Sequence, residues 1–383
     1  MKYFIFFIFF FQILQLNVFS QEKNISIIKA NSFDLIVESF LSLKIKNDSL
    51  IRRTAAVQFN KDDKKFLFKV FFQNGKYYEN KELKTLALPE SFYEEHTGGV
   101  KSVFTIDNID FALISNKIND CFYASILRLN PLKELLKSEC LPKNEEVDFN
   151  GLGGAVITYN DYLYISIGTP EGHSQKIREL AQSKKSIFGK ILKISKKDLL
   201  KNNDGKLKYT IFSLGHRNPQ GMVEIQDNIF SIEHGPQGGD EINIIQFGKN
   251  YGWPLKSYGT RYLNGKSFKY NKKILNYKSP IYSFVPSIAP SSLSQCPENL
   301  QEFYNENICL TSLSLKTQSI FVILLNSNNY SVQSIEAIKI GRRLRHFAVD
   351  NKIKTYTNNN YFFISSDGKG EIKIAKLLFS NFR

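Results

Sequence analysis

Residues 215–254 read GHRNPQGMVEIQDNIFSIEHGPQGGDEINIIQFGKNYGWP. Seven glycines in this stretch alternate with short apolar runs, VEI, IFSI and INII. Between them stand Arg217, Asn218, Gln220, Glu233, His234, Asp240, Glu241 and Asn243. Glycine-punctuated turns between short β-type runs predict tight loops on a strand scaffold. Polar and charged groups at this density on such loops point to a ligand site rather than to a plain core. The same groups would also serve as satisfied polar turns, so the chemistry alone leaves both readings open.

Three ordered phrases, RNPQGM, EHGPQGGDEIN and NYGWP, make the stretch resemble the soluble PQQ-dependent sugar dehydrogenases, that is, the glucose/sorbosone and aldose sugar dehydrogenase family. Weaker matches run from about residue 97 to the C-terminus, whereas residues 21–96 match little. The resemblance implies an all-β, six-bladed β-propeller. It also implies oxidation of an aldose-type sugar by hydride transfer from C1 to the quinone, with Ca²⁺ as second cofactor and an external electron acceptor.

Strand-like runs bounded by turn residues dominate the rest of the chain, among them FDLIVESF, CFYASILRL, NICLTSLSL and YFFISSDG. One phrase, a turn followed by an apolar strand and a polar exit, starts near Asp110, Tyr162, Asn228, Asn307 and Tyr361, at intervals of 52, 66, 79 and 54 residues. These intervals suit four-stranded blades with long loops. Short helices are expected at 132–137 and 177–184. No linker rich in Pro, Gly or Ser divides the chain, so residues 21–383 are read as one propeller domain.

Residues 1–20, MKYFIFFIFFFQILQLNVFS, have a basic start, an apolar centre and a small residue at Ser20. This is the pattern of a secretory signal peptide cleaved near Ser20–Gln21. Gln12, Gln15 and Asn17 interrupt the apolar run, which falls short of the ~20 residues a membrane span needs. Export to the periplasm or outside the cell is therefore expected, with no membrane span after cleavage; an uncleaved N-terminal anchor is the alternative.

Four cysteines, Cys121, Cys140, Cys296 and Cys309, permit two disulfides in such a compartment. The sequence-local pairs are Cys121–Cys140 and Cys296–Cys309, with free thiols as the alternative. Net charge is +15, but the lysines are scattered and no aromatic-basic stripe is present. This disfavours nucleic acid as partner and favours a cationic surface that would welcome an anionic ligand.

The resemblance carries over residue by residue. Arg217 and Asn218 fall where the family contacts PQQ. Lys316 and the pair Arg343 and Arg345 fall where basic side chains hold its carboxylates. Two arginines two apart on a strand share a face, and a guanidinium fork suits a carboxylate. The carbonyls of Gly235 and Pro236 fall where calcium is held. Asp240, Glu241 and Tyr251 fall in the segments of a second, structural calcium site.

Departures matter as much. The family's catalytic His falls at Gly151, and an Arg usual four residues later is Ala155. Thr97 replaces a Gln before Gly98-Gly99, and Gln237 replaces a basic residue. Oxidising an alcohol requires a group that takes the hydroxyl proton, and glycine offers none. His173 and His96 are the candidates for a relocated base. The alternative is a catalytically impaired propeller that binds a ligand or protein partner.

Overall fold

The computed structural model describes residues 24–44, 53–62, 65–95, 97–141, 147–170, 175–201, 207–262, 264–268, 276–350, 360–368 and 370–383. The expected leader and cleavage point, like His96 and His173, lie outside these residues.

The described strands form six small sheets, antiparallel except where Val349–Asp350 runs parallel to Thr54–Asp62. The inner strands are Thr54–Asp62, Val100–Ile106, Gly153–Tyr159, Pro219–Ile225, Pro290–Gln295 and Arg343–Phe347. Each packs on the next, and the sixth packs on the first, so the sheets close into a ring. This is the six-bladed β-propeller that the sequence leads one to expect. The recurring phrase is now explained: Ile109–Ile118, Tyr162–Ile167, Asn228–Glu233, Asn307–Ser314 and Tyr361–Gly368 are the second strands of five successive blades. The remaining second strand, Lys65–Phe72, reads as a strand but lies outside the recurring phrase, in the stretch that matches little of the family.

Local chemistry builds each blade. Asp107-Asn108 and Gln226-Asp227 hold positive φ at the turn between an inner strand and its successor. Two consecutive left-handed residues match the twist of a tight hairpin, and Asn and Asp tolerate that conformation. Side chains on both faces then bury between neighbouring sheets, which explains the continuous apolar runs. Phe40, Phe59, Phe66, Phe68 and Phe363 interlock edge-to-face where the last blade meets the first, with Phe66 and Phe363 at 4.8 Å.

The last blade is made from both ends of the chain. Asp34–Lys44 pairs with Glu371–Ser380 over ten rungs, from Asp34 opposite Ser380 to Lys44 opposite Glu371. Ile25–Lys29 adds the outer edge.

One expectation is corrected. Leu132–Lys137 is a strand, paired with Cys121–Leu129. Its carbonyls and N–H groups find partners across the hairpin, and a bulge between Glu134 and Leu136 lets Leu135 and Leu136 both turn inward. The second short helix does form, as Gln175–Glu179 followed by a 3₁₀ turn at Leu180–Gln182. Both local disulfides are present, Cys121–Cys140 and Cys296–Cys309, with Cα separations of 5.1 and 5.4 Å. No helix among the described residues is long and apolar enough to cross a membrane.

Candidate functional site

A channel of about 280 Å³ runs along the ring axis, walled by the inner strands. At one end of it the inner strands begin, and there the sequence places its unusual residues.

Arg217 and Asn218 immediately precede the fourth inner strand and are both buried. The Arg217 backbone N–H donates to Glu233 Oε2 at 2.9 Å. Its guanidinium donates to the carbonyls of His234 (3.1 Å) and Gly235 (2.7 Å) and lies over the Trp253 ring at 5.4 Å. Asn218 Oδ1 accepts from Gly153 N–H (3.1 Å) and from Gln220 Nε2 (2.7 Å). These bonds tie the third blade to the fourth at the rim.

Gly151 ends a 3₁₀ turn, Phe149–Gly151, capped by the Asp148 carboxylate. The turn lies against the same rim. A Cβ on Gly168 would meet the Gly151 carbonyl at 2.0 Å and that of Arg217 at 2.9 Å, so only glycine allows this approach. Gly151 therefore adjoins Arg217 and Asn218, with no side chain to offer them.

Asp240 organises the loop that carries Gly235 and Pro236. Its Oδ1 accepts the Gly235 N–H at 2.9 Å, and its Oδ2 accepts from Ser287 Oγ (2.6 Å) and from the N–H groups of Ile288 and Ala289 (2.8 Å each). The Pro236 carbonyl accepts from the Tyr262 hydroxyl at 3.0 Å. Glu241 faces Glu233 across the sheet, and Asn243 Nδ2 donates to both. Burial, and then Glu233, push the Glu241 carboxyl up to about 8. The Tyr251 hydroxyl donates to Ile244 O at 2.6 Å, and its ring stacks on His216. Thus Asp240 and Tyr251 both bond within the protein, and no group of three or more His, Cys, Asp or Glu among the described residues could hold a metal ion.

The cations gather elsewhere on the rim, on three neighbouring inner strands. Arg343 and Arg345 open the sixth, Arg53 precedes the first, and Lys101 is the second residue of the second. Arg345 is held by Asp367, with Nε at 2.8 Å and Nη2 at 2.7 Å. Arg53 Nη1 donates to Asn150 Oδ1 at 3.3 Å, and Lys101 Nζ donates to the Thr97 carbonyl. Thr97 Oγ1 in turn donates to Asp148. His346, between these strands, bonds the Thr54 carbonyl through Nε2 at 3.0 Å. Burial, and then Arg345, push its imidazolium down to about 4.

A family model described as Glucose / Sorbosone dehydrogenase matches residues 127–372. The chain belongs to the glucose/sorbosone dehydrogenase family. Among curated members, aldose sugar dehydrogenase YliI of Escherichia coli is 27% identical over 242 residues, which is 58% of this chain and 59% of that protein. The chain spans about half the length of the curated relatives it matches. Among solved structures, the soluble aldose sugar dehydrogenase of E. coli in its apo form superposes with a TM-score of 0.65 at 22% identity, covering 90% of this chain and 99% of that one. The PQQ-bound aldose sugar dehydrogenase of Streptomyces coelicolor gives 0.57 at 17% identity, covering 86% and 97%. At these identities the two structures speak for the fold.

Within this glucose/sorbosone dehydrogenase propeller, Arg217, Asn218, Gly235, Pro236 and Asp240 form one bonded unit at the rim, next to Gly151. Arg343 and Arg345 form a second unit together with Arg53 and Lys101. Lys316 is exposed, and its backbone N–H joins the 287–289 turn through Ile288 O at 3.3 Å. Sequence reasoning missed Arg53, Lys101, Asp148 and Asp367. Arg53 sits in the stretch without family motifs, and Lys101 is a single lysine in a strand, a signal no motif carries.

Proposed function

We propose that this protein is an exported sugar dehydrogenase of the PQQ type, binding the cofactor over the rim and an aldose-type sugar above it. The observation that supports this most is the charge at the rim. Four cations, Arg53, Lys101, Arg343 and Arg345, face two carboxylates, Asp148 and Asp367, and both carboxylates are already hydrogen-bonded. A tricarboxylate fits such a surplus. Bound PQQ would supply a quinone able to accept a hydride. Arg343 and Arg345 would hold its carboxylates on their shared face. The Arg217–Asn218 pair, fixed by Glu233 and Gly153, would position the rest of the ring system, and the glycine-lined wall at 151–154 would leave room for substrate.

Calcium does not fit the arrangement described. The Gly235 carbonyl already receives the Arg217 guanidinium, and the Pro236 carbonyl the Tyr262 hydroxyl. The Asp240 oxygens accept four donors. No step is therefore assigned to that ion. The two disulfides accord with export to an oxidising compartment.

Gly151 favours a second reading, a propeller that binds its ligand without turning it over. The test is titration of purified protein with PQQ, followed by absorbance, and then assay of aldoses with a dye acceptor. Binding with turnover supports the enzyme. Binding alone supports the second reading. No binding overturns both forms of PQQ recognition.

A further inference from the structure

Arg53 and Lys101 belong to no motif, yet they stand at the same end of the channel as Arg343 and Arg345. Their strands are consecutive around the ring, and the sixth and first are joined there by the His346–Thr54 bond. Among the described residues, their hydrogen bonds go to neutral oxygens, Asn150 Oδ1 and Thr97 O. Asp367 is occupied by Arg345 and Thr54. Asp148 is occupied by Thr97 and by Asn150, through its N–H at 2.8 Å and its Nδ2 at 3.1 Å. With Lys101 protonated, the cluster carries two positive charges beyond its own carboxylates. Lys101 also lines the channel, so it reaches the space a ligand would enter.

We propose that Arg53 and Lys101 form a second carboxylate-binding pair at the rim, and that Lys101 takes up a proton from solvent when a polycarboxylate binds there. The inference rests on the anion-binding reading of the rim given above. The charged groups acting on Lys101 are Arg53 and Arg345 on one side and Asp148 on the other, and the neutral His346 lines the same channel. Guanidiniums stay charged, so the amine is the member of the cluster that can relieve the crowding. Burial, then Arg53 and Arg345, push its ammonium down to about 7 against the opposing pull of Asp148. Arg53 is lowered likewise, by burial and by Arg345 and Arg343. An arriving carboxylate reverses the sign of the local potential and restores the ammonium form.

Isothermal titration at pH 8, in phosphate and in Tris, reads both affinity and protons taken up. The ligands are PQQ and benzene-1,2,4-tricarboxylate. The wild type is expected to take up most of one proton per ligand at pH 8 and little at pH 6. Lys101→Met should lose the uptake and bind about tenfold or more weakly. Arg53→Gln should bind comparably weakly and keep a reduced uptake, because burial and Arg345 still lower the Lys101 ammonium once Arg53 is gone. Lys101→Arg should keep the affinity without the uptake, which separates charge from a folding defect. If PQQ binds the wild type and Lys101→Met alike, with equal proton uptake, the inference is wrong and PQQ recognition stands. If the tricarboxylate binds in the expected way and PQQ does not, the inference stands and PQQ recognition falls. Binding of neither ligand overturns both.

Discussion

Asp240 Oδ1 accepts the Gly235 N–H at 2.9 Å, and this bond fixes the loop that presents the Gly235 carbonyl to Arg217. The other Asp240 oxygen holds Ser287, Ile288 and Ala289. One buried carboxylate thereby fastens two loops on adjacent blades. Asp240→Ala should lower stability by about 2–4 kcal/mol, since it strands several buried donors. The midpoint of urea unfolding reads this. An unchanged midpoint would show that the loops hold without the carboxylate.

Arg343 and Arg345 share a face but not an environment. Arg343 is exposed, whereas Arg345 is clamped by Asp367. Arg343→Ala should weaken PQQ binding by roughly 1.5–3 kcal/mol, the range for hydrogen bonds to charged groups. Arg345→Ala should weaken it more, because it also releases the Asp367 carboxylate beside the anion. Equal losses in the two variants would argue against that asymmetry.

His346 gives an acid sensitivity with a definite sign. Its imidazolium is pushed down to about 4 in the fold, below the ordinary value near 6.5. Between those values the unfolded chain binds more protons, so this contribution is whole above about pH 6.5 and is lost as pH falls toward 4. Because His346 lines the channel and is only partly buried, a loss of about 1–2 kcal/mol is expected rather than the full linkage value. His346→Gln should lose less stability than the wild type when acidified from pH 7 to pH 4.5. Parallel denaturation curves at the two pH values would contradict this.

By the family resemblance, Gly151 takes the position at which a proton acceptor is expected. If PQQ loads, aldose oxidation by the wild type should be slow, and Gly151→His should raise it, since general base catalysis is typically worth ~10²–10⁴-fold. Steady-state assay with a dye acceptor measures the gain. Robust wild-type turnover that disappears in His173→Ala or His96→Ala would instead identify a relocated base.

The blade plan was legible because second strands are buried on both faces and read as unbroken apolar runs between turns. The first and last blades were not separable on that basis. Asp34–Lys44 reads as an ordinary strand, and nothing in its residues says that its partner is Glu371–Ser380. Leu132–Lys137 was misread because LKELLK has helical spacing, while its hydrogen-bond partners lie across a hairpin. At the rim, motifs led to Arg217, Asn218, Arg343 and Arg345. Arg53 and Lys101 escaped because their meaning comes from three strands that meet only in the closed ring.

That closure has a mechanical consequence. Asp34 lies opposite Ser380, so once Ile25–Lys29 has peeled from Asp34–Lys44 the two strands of the seam are held at the same end. A pull on both ends would load this seam one rung at a time, like a zipper, rather than shearing ten rungs together. The ring should therefore open under an optical trap at a lower force than a seam of ten rungs loaded in shear, and the phenylalanine cluster behind the seam would be the next layer to yield.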